Sequence, residues 1–236
     1  MAQSDSDYKS LIEQAERALI NEEWQYALTL FEQLLPLAPD TAERAEVLNG
    51  RGVALLKLER YEEAIAVLEE AQKLEPGKAE VYFNRALICE SIGDFEGALA
   101  FYNQTIELKP DDAEAYFRRG GIYFQSHQFE ETVADNTRAI ELHSGEAVTG
   151  PYIARGLAYH QLEQYPDALK DYSQALEIDP RGAADAYFYR ALIHIDMEEA
   201  LPARADLQAY LLMTDDSDGL LATQAREIIE VLDNEA

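Results

Sequence analysis

The sequence predicts an all-α solenoid built from one repeated unit, and three observations carry that prediction. A short segment recurs six times: Trp24-Gln-Tyr-Ala-Leu-Thr, Tyr61-Glu-Glu-Ala-Ile-Ala, Phe95-Glu-Gly-Ala-Leu-Ala, Phe129-Glu-Glu-Thr-Val-Ala, Tyr165-Pro-Asp-Ala-Leu-Lys and the weaker Ala200-Leu-Pro-Ala-Arg-Ala. Its fourth residue falls at Ala27, Ala64, Ala98, Thr132, Ala168 and Ala203, at spacings of 37, 34, 34, 36 and 35 residues, the period of a helical repeat array. Small, aromatic and proline positions keep phase with that segment, which a chance array of amphipathic helices would not do. Finally, apolar residues make up 47% of the chain and Gly and Pro together number only 20, enough to build a core and too few for long flexible linkers.

Numbered 1 to 34, the units run over 8–41, 45–78, 79–112, 113–146, 149–182 and 184–217. Slot 8, where two helices cross, is small throughout: Ala15, Gly52, Ala86, Gly120, Gly156 and Ala191. Slot 4 fills the space beside the crossing with Leu11, Leu48, Tyr82, Tyr116, Tyr152 and Tyr187. Slot 32 holds Pro39, Pro76, Pro110 and Pro180, where proline stops a helix. The helices of each unit are amphipathic and cannot bury their apolar faces alone, so neighbouring units stack.

These residues resemble the tetratricopeptide repeat (TPR) family, whose unit is a 34-residue pair of antiparallel helices, in its bacterial variety with Arg-Gly or Arg-Ala in the first helix. The resemblance spans 8–217 and implies a right-handed superhelical solenoid of six helix pairs. Residues 1–7 precede the first unit as a flexible, polar N-terminus. Repeat 4 departs from the pattern, with Ser144 in the proline slot, Asn136 at the normally large and apolar slot 24, and an added Ala147-Val148 before Gly150-Pro151. A longer turn or a hinge at 143–151 follows. Repeat 6 has Ala200 in the aromatic slot, Tyr210 in a small slot and Asp215 in place of proline. After Gly219, Leu221, Ala225, Ile228, Ile229 and Leu232 share one helical face. The tail 218–236 is therefore expected as a C-terminal capping helix, with occupation of the protein's own groove as the alternative.

Slot 7 holds Arg51, Arg85, Arg119, Arg155 and Arg190. This slot adjoins the helix crossing, so a charge there needs partners. Slot 23 supplies Asp135, Asp171 and Asp206 in the last three repeats, and an Arg–Asp ladder between helices is the structural expectation.

With 19 Lys and Arg against 46 Asp and Glu, the net charge is −27. That balance argues against binding a nucleic-acid backbone, which requires clustered cations, and against docking on anionic lipid. Cys89 is the sole cysteine, which excludes an intramolecular disulfide and any CxxC motif. The N-terminus lacks the basic start and apolar stretch of a signal peptide, and no apolar run is long enough to insert in a membrane. A cytoplasmic location is the resulting expectation. No enzyme motif survives inspection: Gly50-Arg-Gly52 lacks the third glycine of a dinucleotide loop, and neither a phosphate-binding loop nor HExxH occurs. His127, His143, His160 and His194 are too scattered for a metal spacing. No enzymatic activity, metal or cofactor is expected.

The family binds protein ligands on a concave surface lined by first helices. The resemblance implies a groove with Asn49, Phe83, Phe117, Ile153 and Phe188 at slot 5, Asn84 and Arg118 at slot 6, Val53, Leu87, Leu157 and Leu192 at slot 9, and Phe124, His160 and Ile195 at slot 12. Slot 2, on its rim, holds Lys9, Glu46, Glu80, Glu114, Gly150 and Asp185. The Lys and Asn clamp by which some TPR co-chaperones grip acidic C-termini is missing from these slots. An apolar floor with an acidic rim suits a hydrophobic or amphipathic segment with basic flanks, held by the helix-in-groove mode. A non-enzymatic adaptor, scaffold or assembly factor binding a protein or peptide partner is the leading expectation. The alternatives are a self-associating structural protein, hence a homo-oligomer, or an assembly factor for a membrane complex of the cyanobacterial and plastid kind.

Overall fold

The computed structural model describes residues 2–143, 148–216 and 218–234, with side chains from Tyr8 onward. Among the described residues there are thirteen α-helices, one short 3-10 turn at Leu35–Leu37 and no strand. They fall into two compact units, Met1–Asp111 and Asp112–Ala236. The first contains α1 (Ala2–Ile20), α2 (Trp24–Leu34), α3 (Thr41–Lys57), α4 (Tyr61–Leu74), α5 (Ala79–Ser91) and α6 (Phe95–Leu108). The second contains α7 (Ala113–Gln125), α8 (Phe129–Leu142), α9 (Gly150–Gln161), α10 (Tyr165–Ile178), α11 (Asp185–Asp196), α12 (Ala200–Met213) and α13 (Leu220–Asn234).

Within each unit, consecutive helices pair and each pair packs on the next. Every pair is closed by the same turn. The residue at slot 15 adopts a left-handed backbone in all six repeats: Glu22, Glu59, Gly93, His127, Glu163 and Glu198, with φ between 57° and 78°. In the second repeat the Arg60 amide donates to Leu55 O at 2.9 Å and the Glu59 amide to Leu56 O at 3.0 Å. That nested pattern satisfies the last carbonyls of the first helix and reverses the chain. The next helix then starts at the first residue of the recurring segment, aromatic in five of the six repeats. Asp40, Asp94 and Asp112 cap α3, α6 and α7 by accepting from the Glu43, Gly97 and Ala115 amides at 2.9–3.0 Å.

The helix crossing is set by slots 8 and 24. A Cβ added to Gly52 would stand 2.6 Å from Leu68 Cδ2, and one added to Gly156 would stand 2.7 Å from Tyr172 Cε1. Only a hydrogen lets the first helix approach these side chains, which is why slot 8 is small. In repeat 4, Asn136 occupies the fully buried slot 24 and donates to Thr132 O at 2.9 Å, a local bond that replaces apolar volume there.

One apolar core runs through α1 to α5, from Tyr8 to Ile88. In the second unit one cluster joins repeats 5 and 6, and another joins repeat 6 to α13. The face expected of the tail is the face that packs: Ala222 and Ala225 are fully buried, and Leu221, Ile228, Ile229 and Leu232 close over Phe188, Leu207 and Tyr210. In the frame of repeat 6, Leu221 and Ala225 fall at slots 4 and 8, so α13 stands where the first helix of a further repeat would begin.

α1 begins at Ala2, ahead of the first repeat unit. The proposed hinge at 143–151 includes Ser144 to Ala147, which lie outside the described residues.

Candidate protein-binding surface

In repeats 4 to 6 a slot-7 arginine ties the first helix of the pair to its partner. In the second unit the expected ladder is present. The Arg119, Arg155 and Arg190 guanidinium groups each donate two hydrogen bonds, 2.6–2.8 Å long, to Asp135, Asp171 and Asp206. Tyrosines at slot 4 flank each guanidinium: Tyr116, Tyr152 and Tyr187 have ring centres 5.5–5.8 Å away. A third donation runs to the preceding repeat, from Arg155 to Thr137 Oγ1 at 2.9 Å and from Arg190 to Ser173 Oγ at 3.0 Å. Burial opposes the Arg155 charge, yet the hydrogen bonds and charge of Asp171 raise its pKa above the usual arginine value.

The first unit solves the same problem differently. Its slot 23 holds Leu30, Val67 and Phe101, so no carboxylate is available within the repeat. Arg51 instead reaches Glu32 at 3.5 Å and Arg85 reaches Glu69 at 3.2 Å, both at slot 25 of the preceding repeat. Arg85 also bonds Gln72 and lies 4.3 Å over the Phe101 ring. Slot 25 escaped the sequence reading because its residues, Glu32, Glu69, Thr137 and Ser173, share no charge. Their common property is an oxygen acceptor within reach of the next arginine.

The candidate ligand-contact residues fall on these first helices, three or four residues apart, but not all are open. In the first unit, Asn84 is 8% exposed and donates to Asn49 Oδ1 at 2.8 Å. The two amides bridge α3 and α5 and satisfy one another. Phe83 is half-buried, edge-on to Tyr102 with centroids 5.7 Å apart. Val53 and Leu87 are also half-buried, and Leu87 packs on the core.

In the second unit, Phe117, Phe124, Ile153, Leu157, Leu192 and Ile195 are half-buried. Phe117 rests against Gly150 at the start of α9, and Phe124 meets Phe129 edge-on at 5.4 Å. Arg118 is exposed and donates to Glu114 at 2.7 Å. His160 Nε2 bonds Asp196 Oδ2 at 2.8 Å; because a carboxylate only accepts, that nitrogen carries the proton. His160 and His194 do not pair, since His194 Nδ1 instead bonds Glu199 at 2.7 Å. Phe188 is the clear correction. It is 4% exposed and buried in the cluster that α13 closes, so the capping helix takes the place a ligand would need.

The floor is therefore a set of partly open rings and aliphatic chains instead of a fully exposed stripe, because neighbouring pairs cover one side of each residue. The rim residues Glu46, Glu80, Glu114 and Asp185 are all exposed. Sequence reading passed over one further feature. A cleft of about 310 Å³ opens between α1 and α3 at the first repeat, lined by Glu13, Glu16, Glu43 and Glu46 together with Tyr8, Lys9 and Ile12. Its signal was legible: slots 6 and 9 of repeat 1 and slot 2 of repeat 2 are all glutamate. Among the described residues, no group of three His, Cys, Asp or Glu is arranged to hold a metal ion, and no helix is long and apolar enough to cross a membrane.

This arrangement of helix pairs around small crossing residues defines an α-helical repeat protein of the interaction class. Tetratricopeptide repeat profiles match residues 12–79, 49–113, 92–147 and 151–181. The chain belongs to the tetratricopeptide repeat family, whose members bind protein or peptide partners. No protein of curated function matches it in sequence. Solved structures share its fold. YrrB, a TPR protein with an unusual peptide-binding site, aligns with a TM-score of 0.67 and 19% identity over 78% of this chain and 92% of its own. A TPR protein from Parabacteroides merdae aligns at 0.69 and 18% over 99% and 92%. MamA from Desulfovibrio magneticus aligns at 0.66 and 18% over 75% and 96%.

Proposed function

We propose that this protein is an adaptor or assembly factor that holds a hydrophobic or amphipathic segment with basic flanks along its first helices. The observation that carries this reading is the pairing of a half-open apolar floor with an exposed acidic rim. Phe83 and Leu87 in the first unit, and Phe117, Phe124, Ile153 and Leu157 in the second, each keep part of their surface in water. Aromatic side chains at such positions frequently dominate binding energy. The peptide-binding site of YrrB, on a similar fold, supports the same class of function.

The test is affinity capture from native lysate with quantitative mass spectrometry, comparing wild type with Phe117→Glu after circular dichroism has shown both to be folded. Loss of a defined set of proteins from the variant is expected. Recovery of the same proteins by both would refute the floor as the binding surface.

A second reading, self-association, rests on a different face. Leu201, Ala205, Gln208 and Leu212 lie along the outer side of α12, with Leu201 79% and Leu212 75% exposed. Other second helices place charges at such positions, for example Glu62, Glu69 and Lys73 on α4.

A further inference from the structure

We propose that Gly121 opens a notch in the floor of the second unit, and that this notch receives one aromatic side chain of the bound segment. This rests on the segment-binding reading above and adds the side chain that the segment must carry. Slot 9 holds Leu157 on α9 and Leu192 on α11, whereas on α7 the same slot is Gly121.

A glycine inside a helix needs a reason, because it loses more backbone freedom on folding than alanine does. Two reasons operate elsewhere in this chain. Gly93 has a φ of 78°, which a side chain resists. Gly52, Gly120 and Gly156 sit where an added Cβ would stand 2.6–2.8 Å from Leu68, Asn136 and Tyr172. Neither reason applies to Gly121. Its φ is not positive, and a Cβ added there would meet nothing within 4 Å beyond the adjacent residues and its own helix backbone. The residue is nevertheless half-buried, which makes the open space a recess. Here the fold forgoes helix stability at a position where packing does not ask for it.

The walls of the notch select an aromatic ring. Phe117 and Phe124 stand on the same helical face, four residues before Gly121 and three after. At about 1.5 Å of rise per residue, their backbones lie roughly 6 Å and 4.5 Å away along the axis. That spacing suits a third ring between them, since edge-to-face pairs favour centroids roughly 4.5–7 Å apart. Both walls have partners of their own. Phe117 rests against Gly150 at the start of α9, and Phe124 meets Phe129 edge-on at 5.4 Å. Neither ring comes within 4 Å of a Cβ at Gly121, and both keep part of their surface in water. Charge complementarity favours basic flanks on the segment. The first helices of this unit carry exposed Glu114, Asp185 and Asp196 near their ends, against one exposed arginine, Arg118, among their described residues.

Thermal unfolding of the full chain gives the first test. Gly121→Ala should raise the melting temperature by about 2–4 °C, whereas Gly120→Ala, whose Cβ strikes Asn136, should lower it. A lower melting temperature for Gly121→Ala would show that the fold requires this glycine and would overturn the notch.

Binding gives the second test. A displayed library of amphipathic helical peptides with Lys and Arg flanks is selected on wild type, and enriched peptides are measured by fluorescence anisotropy. They should share one Trp, Phe or Tyr whose replacement by Ala weakens binding about ten-fold or more. Gly121→Leu, shown to be folded by circular dichroism, should weaken the parent peptide by a similar factor. The same variant should bind the Ala-substituted peptide at least as tightly as wild type does. Full affinity of Gly121→Leu for the parent, or an equal loss for both peptides, refutes the notch, as do enriched peptides with no shared aromatic. If Phe117→Glu abolishes binding in those cases, the floor reading survives alone. No enrichment on wild type, or full binding by Phe117→Glu, removes the floor reading and the notch together.

Discussion

Arg155 is 16% exposed and Asp171 3% exposed, so their pair lies where an unmatched charge would be expensive. Each structurally described slot-7 arginine meets one carboxylate, drawn either from slot 23 of its own repeat or from slot 25 of the preceding one. Arg119, Arg155 and Arg190 belong to the first scheme, Arg51 and Arg85 to the second. The schemes are alternatives because the guanidinium has donors facing both ways. Asp171→Leu should strand the Arg155 charge and destabilise by about 3–5 kcal/mol. The exposed Asp167→Asn should stay within about 0.5 kcal/mol. Adding Thr137→Glu to Asp171→Leu transplants the first-unit arrangement and should restore much of the loss. Urea midpoints for the three variants decide the matter, and an Asp171→Leu midpoint matching that of Asp167→Asn would show the ladder to be energetically idle.

At the scale of one helix pair, the turn is the informative feature. Five of the six slot-15 residues are Glu or His in a left-handed conformation, and only Gly93 suits it without a Cβ penalty. The turn's hydrogen bonds and the packing of the flanking helices hold the others there. Glu163→Gly should therefore raise stability by up to about 1 kcal/mol, visible as a higher melting temperature, while Gly93→Ala should lower it. The opposite order would mean that the Glu163 side chain contributes more than its backbone costs.

Across the whole chain, the charge of −27 is distributed through every repeat, with −4, −2, −5, −3, −2 and −5 along the six units. Self-repulsion of this size favours solubility. The outer side of α12 is an exception, with Leu201, Ala205, Gln208 and Leu212 in a row that reads similarly in either direction. Two copies can oppose these faces in antiparallel fashion without bringing carboxylates together there. Light scattering over a concentration series should show association that strengthens with salt as repulsion is screened, and Leu201→Glu/Leu212→Glu should eliminate it. A monomer under all conditions would dismiss this reading.

Much of the architecture was legible because the repeat multiplies each weak signal. One small residue at slot 8 means little, whereas six in phase with aromatics and prolines specify a helix crossing. The apolar face of α13 was likewise readable from Leu221, Ala225, Ile228, Ile229 and Leu232. The binding surface was less so. Slots identify which residues lie on a first helix, but not how far the neighbouring pair covers them. Phe188 has the same slot as Phe117, yet α13 buries the one and leaves the other half-open. Asn84 looked like a ligand contact and instead satisfies Asn49. The left-handed turns were hidden because Glu and His rarely mark such a conformation.

By itself, the sequence determined the helix pairs, their register and the ionic partners of repeats 4 to 6, because these follow from local periodicity and fixed spacings. The tertiary structure decided which apolar positions remain accessible, which acceptor each arginine of the first unit uses, and that four glutamates line one cleft. Those outcomes depend on the distance between helices that are remote along the chain, a quantity that no single repeat encodes.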